Sequence, residues 1–153
     1  MQTPPEALAE RIQWLTDRAA ITDLMTEYTR CIDRKDFASQ ASLLTDDGHL
    51  DLPFARFDKQ QMTTGAHTSL LERYGALQHT ISDPIIEVNG DSAALRCNFH
   101  AVHVHGEPGR MGGADHATVG GIYDVMLRRE DNRWRLFNVS TIFVWTAGEL
   151  AHG

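Results

Sequence analysis

The residues best equipped for chemistry are one carboxylate and a small set of histidines. Asp33 stands where a long amphipathic pattern stops, and His79 opens an alternating run just beyond Gly75. A carboxylate that accepts a hydrogen bond from one imidazole nitrogen orients the ring, fixes its tautomer and raises the basicity of the other nitrogen. Such a pair can take a proton from carbon. Tyr28 precedes Asp33 on the apolar side of the same pattern, so its ring should point inward with a hydroxyl in need of a partner. Read singly, each has a plainer meaning: Asp33 a helix-terminal carboxylate, His79 an ordinary strand histidine.

His100, His103 and His105 crowd one later stretch. His103 and His105 share a face there and, with Glu107, would make half of a metal site. His116 is the remaining candidate, across a glycine-rich stretch, and the spacing does not complete a ligand set, so no metal is expected. Neither Gly106–Gly113 nor Gly120-Gly121 opens a helix after a strand, as a phosphate-cradling turn would. No serine occupies a nucleophile elbow. No organic cofactor is expected, which leaves proton transfer and plain binding of a small molecule.

These side chains need elements to position them. Pro4 and Pro5 can begin a helix from Glu6 to about Ile32, with an apolar stripe of Leu8, Ile12, Leu15, Ala19, Leu24, Tyr28 and Ile32 and room for a break near residue 16 or 17. Asp36 can cap a short second helix to about Leu44. Thr45–Gly48 reads as a turn, His49–Phe54 as a strand and 55–64 as irregular. A third helix is expected over Ala66–Tyr74. Four stretches, Gln78–Val88, Ser92–His105, Ala117–Arg129 and Arg133–Trp145, alternate as strands between turn signals, with a glycine-rich loop over Gly106–Asp115 and a bulge at Gly120-Gly121. Helices first and an antiparallel meander after give an α+β class.

One face of Ser92–His105 carries Ala93, Leu95, Cys97, Phe99, Ala101, His103 and His105. This apolar wall turns polar at its rim, which suits an apolar ligand met by a few polar groups. The residues expected to line a substrate pocket are Leu52, Phe54, Met62, Leu95, Phe99, Tyr123, Phe143 and Trp145.

Composition narrows the classes further. The 153 residues fit one domain, expected as 1–153 with a core of about 8–146. The net charge is -7, and Arg128-Arg129 is followed at once by Glu130 and Asp131, so nucleic acid is not an expected partner. No apolar run approaches a membrane span and the N-terminus does not read as a signal peptide. Cys31 and Cys97 lie far apart and outside any CxxC spacing. Free thiols and a cytoplasmic location follow by default.

The stretches RAAITDLMTEYTRCIDRKDF, TDDGHLDL, TGAHTSLLERY, HTISDPIIEVNGDSAALRCNFHAVH and GGIYDVMLRREDNRWRLFNVSTIFVW, in this order, resemble the SnoaL-like branch of the NTF2-like (cystatin-like) superfamily. The resemblance implies a cone: a strongly curved, mixed or antiparallel sheet behind three N-terminal helices, around an internal pocket. Its nearest characterised enzymes are scytalone dehydratase, hexachlorocyclohexane dehydrochlorinase and bile-acid 7α-dehydratase, cofactor-independent lyases with an Asp–His dyad. Asp33 and His79 match that dyad. His103 matches a second histidine of the dehydratase, and Tyr28 more loosely its tyrosine. The dehydrochlorinase has a lysine near the position of Tyr28, so chloride departure is not expected here. The resemblance implies a dehydratase acting on a small hydrophobic cyclic, polyketide-like or steroid-like substrate, in a homodimer or homotrimer. Isomerase, epoxide hydrolase, cyclase and non-catalytic binding roles occur on the same fold and stay open.

Overall fold

A computed structural model describes residues 1–107 and 115–150. Most of the expected glycine-rich loop lies outside them. Helix α1 (Leu8–Asp33) runs without the break allowed near residue 16. Its threonines stay compatible with the helix because Thr16, Thr22 and Thr26 each donate a hydroxyl to the carbonyl one turn back. The expected stripe holds only in its last turns. Leu8, Ile12 and Leu15 are exposed (73, 56 and 53 %), and the buried face is Asp17, Ile21, Met25, Tyr28 and Ile32. It begins at Asp17 because that carboxylate docks the helix: it accepts hydrogen bonds from Trp134 Nε1 (3.0 Å), Arg129 (2.8 Å) and Gln13 (3.1 Å).

The end of α1 is sharply built. Lys35 adopts φ 57°, its N–H bonds the Ile32 carbonyl and the Asp36 N–H bonds the Cys31 carbonyl, both at 2.9 Å. This is the paired-bond terminus that glycine usually supplies. Asp36 then caps α2 (Phe37–Ser42) through Ser39 N–H (3.1 Å), as expected.

Six strands follow: β1 (Leu44–Leu52), β2 (Ala55–Asp58), β3 (Ala76–Asn89), β4 (Ser92–Val104), β5 (His116–Glu130) and β6 (Arg133–Ala147), with α3 (Ala66–Glu72) between β2 and β3. The sheet order is β2-β1-β6-β5-β4-β3, with β1 parallel to β6 and every other pair antiparallel. Two expectations are corrected. The turn at Thr45–Gly48 is a bulge inside β1: Leu44 pairs with Leu136 and His49 already with Asn138, so the intervening residues loop out. The stretch read as irregular contains β2, paired to β1 through a tight turn at Pro53-Phe54 and a cross-strand Asp51–Arg56 ion pair.

Further bulges curve the sheet. One sits between Ser82 and Ile85, with Asp83 at φ 54°, and another at Gly120/Gly121, where it was expected. A Cβ on Gly121 would collide with the Phe99 ring and the Ile142 carbonyl, and one on Gly120 with the Trp145 ring. Inside the curve α1 runs against β3 and the end of the sheet at β6, and its buried residues join one core cluster with Leu95, Val125, Leu136 and Val139 of the alternating apolar face. Trp134 and Leu136 anchor the last strand, as expected.

Asp17 carries a pH signature. Burial alone would push its carboxyl up. Hydrogen bonds from Arg129, Trp134 and Gln13 and the Arg129 charge outweigh that, so its pKa lies below the ordinary value. A depressed folded-state pKa stabilises above the unfolded value of about 3.9 and is lost as pH falls through the folded value. Asp17→Ala should cost about 1–3 kcal/mol at neutral pH, by leaving the Trp134 N–H without its acceptor and Arg129 with Asp91 as its remaining carboxylate partner. In acid denaturation by circular dichroism the difference from wild type should shrink below about pH 4.

Candidate active site

The sharp end of α1 and the start of β3 bring two side chains together. Asp33 is the last residue of α1. The negative end of a helix dipole disfavours a carboxylate, so helix stability does not explain its place. His79 does. The His79 ring Nδ1 lies 2.7 Å from Asp33 Oδ1, and the His79 backbone N–H donates to Asp33 Oδ2 at 3.0 Å. A carboxylate only accepts, so Nδ1 carries a proton, and in the neutral ring the lone pair is therefore on Nε2. The His79 side chain is 7 % exposed and lines a cavity of about 430 Å³.

His103 lies beside this pair. Leu77 pairs with His103 and His79 with Ala101, so the two histidines are diagonal neighbours on the inner face, with ring centres 6.1 Å apart. Burial, first, and the neighbouring His79, second, lower the His103 pKa to about 4, which keeps it neutral at physiological pH. Its Nδ1 is buried without a hydrogen-bond partner among the described residues. His105 faces the same way, but its Nε2 is taken by the Glu149 carbonyl (2.8 Å). Among the described residues no group of three or more His, Cys, Asp or Glu is placed to hold a metal. Cys31 and Cys97 are free and buried.

Tyr28 occupies the closed end. It is fully buried, its ring meets Tyr123 edge-on (6.3 Å, 88°), and Tyr123 stacks on Phe99 (4.5 Å, 29°). Burial raises the pKa of both tyrosines, so both hydroxyls stay protonated. Tyr123 pairs with Cys97, while His79 pairs with Ala101, a difference of about 13 Å along the strand. Tyr123, the ring that Tyr28 meets, is thus offset along β4 from the row that carries His79.

Of the expected pocket residues, Leu52, Phe54, Phe99, Tyr123 and Phe143 line the cavity, with Phe54 63 % exposed at its mouth. Met62, Leu95 and Trp145 do not line it, and each correction has a cause. Met62 and Leu95 are buried within the core cluster. Trp145 lies outside because β6 carries an extra residue opposite the glycine pair: Gly121 pairs with Phe143 and Gly120 with Trp145. Val144 absorbs the bulge, and Trp145 turns to the outer face beside His100. Sequence reasoning missed Gln40, His67 and Thr141, which also line the cavity. Gln40 had a signal: it interrupts the buried stripe Phe37, Gln40, Ala41 of α2 with a polar group. His67 is buried and bonded at Nδ1 to the Met62 carbonyl (2.8 Å), a contact no spacing announces.

The neutral, buried state of His103 should be visible in stability. Its folded pKa of about 4 lies below an unfolded value of about 6.5. Between these the unfolded chain binds more protons, so wild type loses stability as pH falls from about 6.5 to 4, approaching about 3 kcal/mol in total. His103→Phe should flatten this segment of the denaturant-midpoint profile. An unchanged slope would contradict the assignment.

With the geometry in place, comparison with known proteins identifies the lineage. No curated protein matches the sequence. Among solved structures, a type 2 hexachlorocyclohexane dehydrochlorinase superposes with a TM-score of 0.77 at 17% identity, covering 92% of this chain and 94% of that one. A scytalone dehydratase-like protein from Novosphingobium aromaticivorans gives 0.74 at 17%, covering 91% of each. An NTF2-like protein with a cystatin-like fold from the same species gives 0.72 at 20%, covering 91% of each. These likenesses establish the NTF2-like, cystatin-like fold expected from the sequence. The SnoaL-like domain family model matches residues 13–140, and the chain belongs to that family.

Proposed function

We propose that this protein is a cofactor-independent lyase, a dehydratase of a small hydrophobic cyclic substrate. The observation that carries the reading is the Asp33–His79 contact at the wall of an apolar cavity. In this reading His79 Nε2 takes a proton from a carbon activated by a carbonyl. Asp33 holds the ring in the Nδ1–H tautomer and stabilises the imidazolium as it forms. His103, held neutral by burial, hydrogen-bonds the departing hydroxyl as a neutral imidazole can. The proton on His79 passes to that hydroxyl. One C–H and one C–O bond break, a C=C bond forms, and water leaves with both histidines restored. Tyr28, at the closed end, donates to a carbonyl conjugated with the reacting carbon, where charge builds up in the transition state. Phe99, Phe143 and Leu52 keep water out and these bonds strong.

The dehydrochlorinase and the dehydratase-like neighbour share this fold, which is compatible with elimination but does not choose the leaving group. The histidine beside the dyad favours hydroxyl departure over isomerisation, which needs only the base. Hydrolysis by an Asp33-activated water is disfavoured because both Asp33 oxygens are engaged by His79.

His79→Gln should lower turnover about 10²–10⁴-fold, the usual contribution of a positioned general base, with little change in ligand affinity. Asp33→Asn should lose a similar factor by admitting the wrong tautomer. The check is product analysis by mass in isotopically labelled water on a panel of cyclic β-hydroxy ketones. Loss of one water supports the reading, solvent-proton uptake with an unchanged skeleton indicates isomerisation, and gain of labelled oxygen indicates hydrolysis. Full activity in His79→Gln would end the proposal.

Assembly belongs to the same reading. The outer sheet face exposes Met126, Ile142, Val144 and Trp145 (47, 41, 63 and 48 %), beside half-buried Val102 and Val104. The apolar residues about Ile142, Val144 and Trp145, separated from Met126 by the Arg96–Asp124 ion pair, are expected to seat a second copy of the chain. Sedimentation equilibrium should show a dimer or trimer, and a monomer at high concentration would contradict it.

A further inference from the structure

Gln40 is the least expected group in the cavity. It is 0 % exposed and lines the cavity. Neither its carboxamide oxygen nor its nitrogen has a hydrogen-bond partner among the described residues. A buried amide with both ends unpaired is rare, because its water bonds are given up for nothing. Its position on α2 follows from the helix period: Phe37 and Ala41 are buried on the same face, so the fold would have accepted an apolar side chain there. The carboxamide lies within reach of the Tyr28 hydroxyl, but not at the distance and angle of a well-formed hydrogen bond. The closed end of the cavity is therefore lined by two neighbouring polar groups, close to the stacked rings of Phe99 and Tyr123. His79 and His103 sit at the other end of that apolar band.

We infer that Gln40 is a specificity residue whose carboxamide hydrogen-bonds an oxygen of a flat, fused-ring substrate, on the ring remote from the carbon that reacts at His79. This rests on the reading of the cavity as a substrate site and adds the substrate's shape and polarity. A carboxamide both donates and accepts, so it pairs with a ring carbonyl or a ring hydroxyl, and the Tyr28 hydroxyl completes the pair. A cavity of about 430 Å³ admits two or three fused rings. A substrate carrying oxygen at both ends satisfies both polar groups of the site at once. One with oxygen only at the reacting end leaves Gln40 buried and unpaired, which is how a site rejects an analogue lacking a polar group.

The test uses two fluorescent probes, 2,6-dihydroxynaphthalene and 2-naphthol, titrated against the intact protein and its variants. The second hydroxyl should improve affinity about tenfold in wild type, the scale of one good hydrogen bond. Gln40→Leu and the unbranched Gln40→Met should both erase this gain while leaving 2-naphthol binding unchanged. Both variants should melt at or above the wild-type temperature, since an unpaired buried amide has been removed. His79→Gln should keep the tenfold ratio, so a failure of the catalytic reading appears at His79 and a failure of this inference at Gln40. An equal affinity ratio in wild type and both Gln40 variants would overturn the inference, with Gln40 then satisfied by water alone. So would equal weakening of both probes, or failure of both to bind wild type.

Discussion

The site depends on one carboxylate accepting two hydrogen bonds from one residue. Asp33 takes the ring N–H and the backbone N–H of His79, and so ties the last residue of a 26-residue helix to the first inward polar position of β3. The contact is local in space and distant in sequence. It works because the terminus of α1 is closed in a single geometry, with Lys35 forced to φ 57°. Lys35 also reaches across to the Tyr74 carbonyl at 2.5 Å, so the helix end, the entry to β3 and the ring of His79 are fixed as one unit. A carboxylate at the unfavourable end of a helix dipole is retained here by its partner and not by the helix.

The cavity that receives this unit is mostly apolar, and its few polar groups are held uncharged. Burial keeps His103 neutral to lower pH than a free imidazole, keeps Tyr28 and Tyr123 protonated, and leaves Gln40 without a well-formed hydrogen bond among the described residues. The neutral histidine in acid and the unpaired amide at any pH cost stability in the empty protein. Each also strengthens an interaction with a bound molecule, because low local polarity magnifies hydrogen bonds that are finally made. Curvature makes this possible. The glycine pair of β5 lets Phe99 lie flat inside the sheet and Trp145 pack outside it, so one bulge separates the binding face from the outer face.

Much of this was legible from residue patterns, and the misses are instructive. The alternation of Ser92–His105 told which face of β4 turns inward because a strand has a strict period of two. The capped second helix and the Gly120-Gly121 bulge were readable because Asp36 and paired glycines have few other uses. Alternation failed for Trp145, since a bulge resets the period and only the pairing partner shows which residue is the extra one. The stripe of α1 failed at Leu8, Ile12 and Leu15 because exposure there depends on where Asp17 finds Trp134 and Arg129, on a hairpin more than 100 residues away. Asp33 and His79 became a pair in the sequence only through family resemblance. Their separation of 46 residues has no local periodicity to reveal it. Gln40 was missed because polar residues on short helices are ordinarily solvated.

The central claim is that Asp33 fixes His79 as the Nδ1–H tautomer with an unprotonated Nε2 facing the cavity. Long-range ¹⁵N–¹H correlation spectra of histidine-labelled protein near neutral pH report which imidazole nitrogen is protonated, without needing a substrate. The account predicts an Nδ1–H signal for His79 that is strongly deshielded, as in a charge-assisted hydrogen bond, and that is lost or mixed with the other tautomer in Asp33→Asn. An Nε2–H tautomer in the wild type, or a spectrum indifferent to Asp33→Asn, would contradict it.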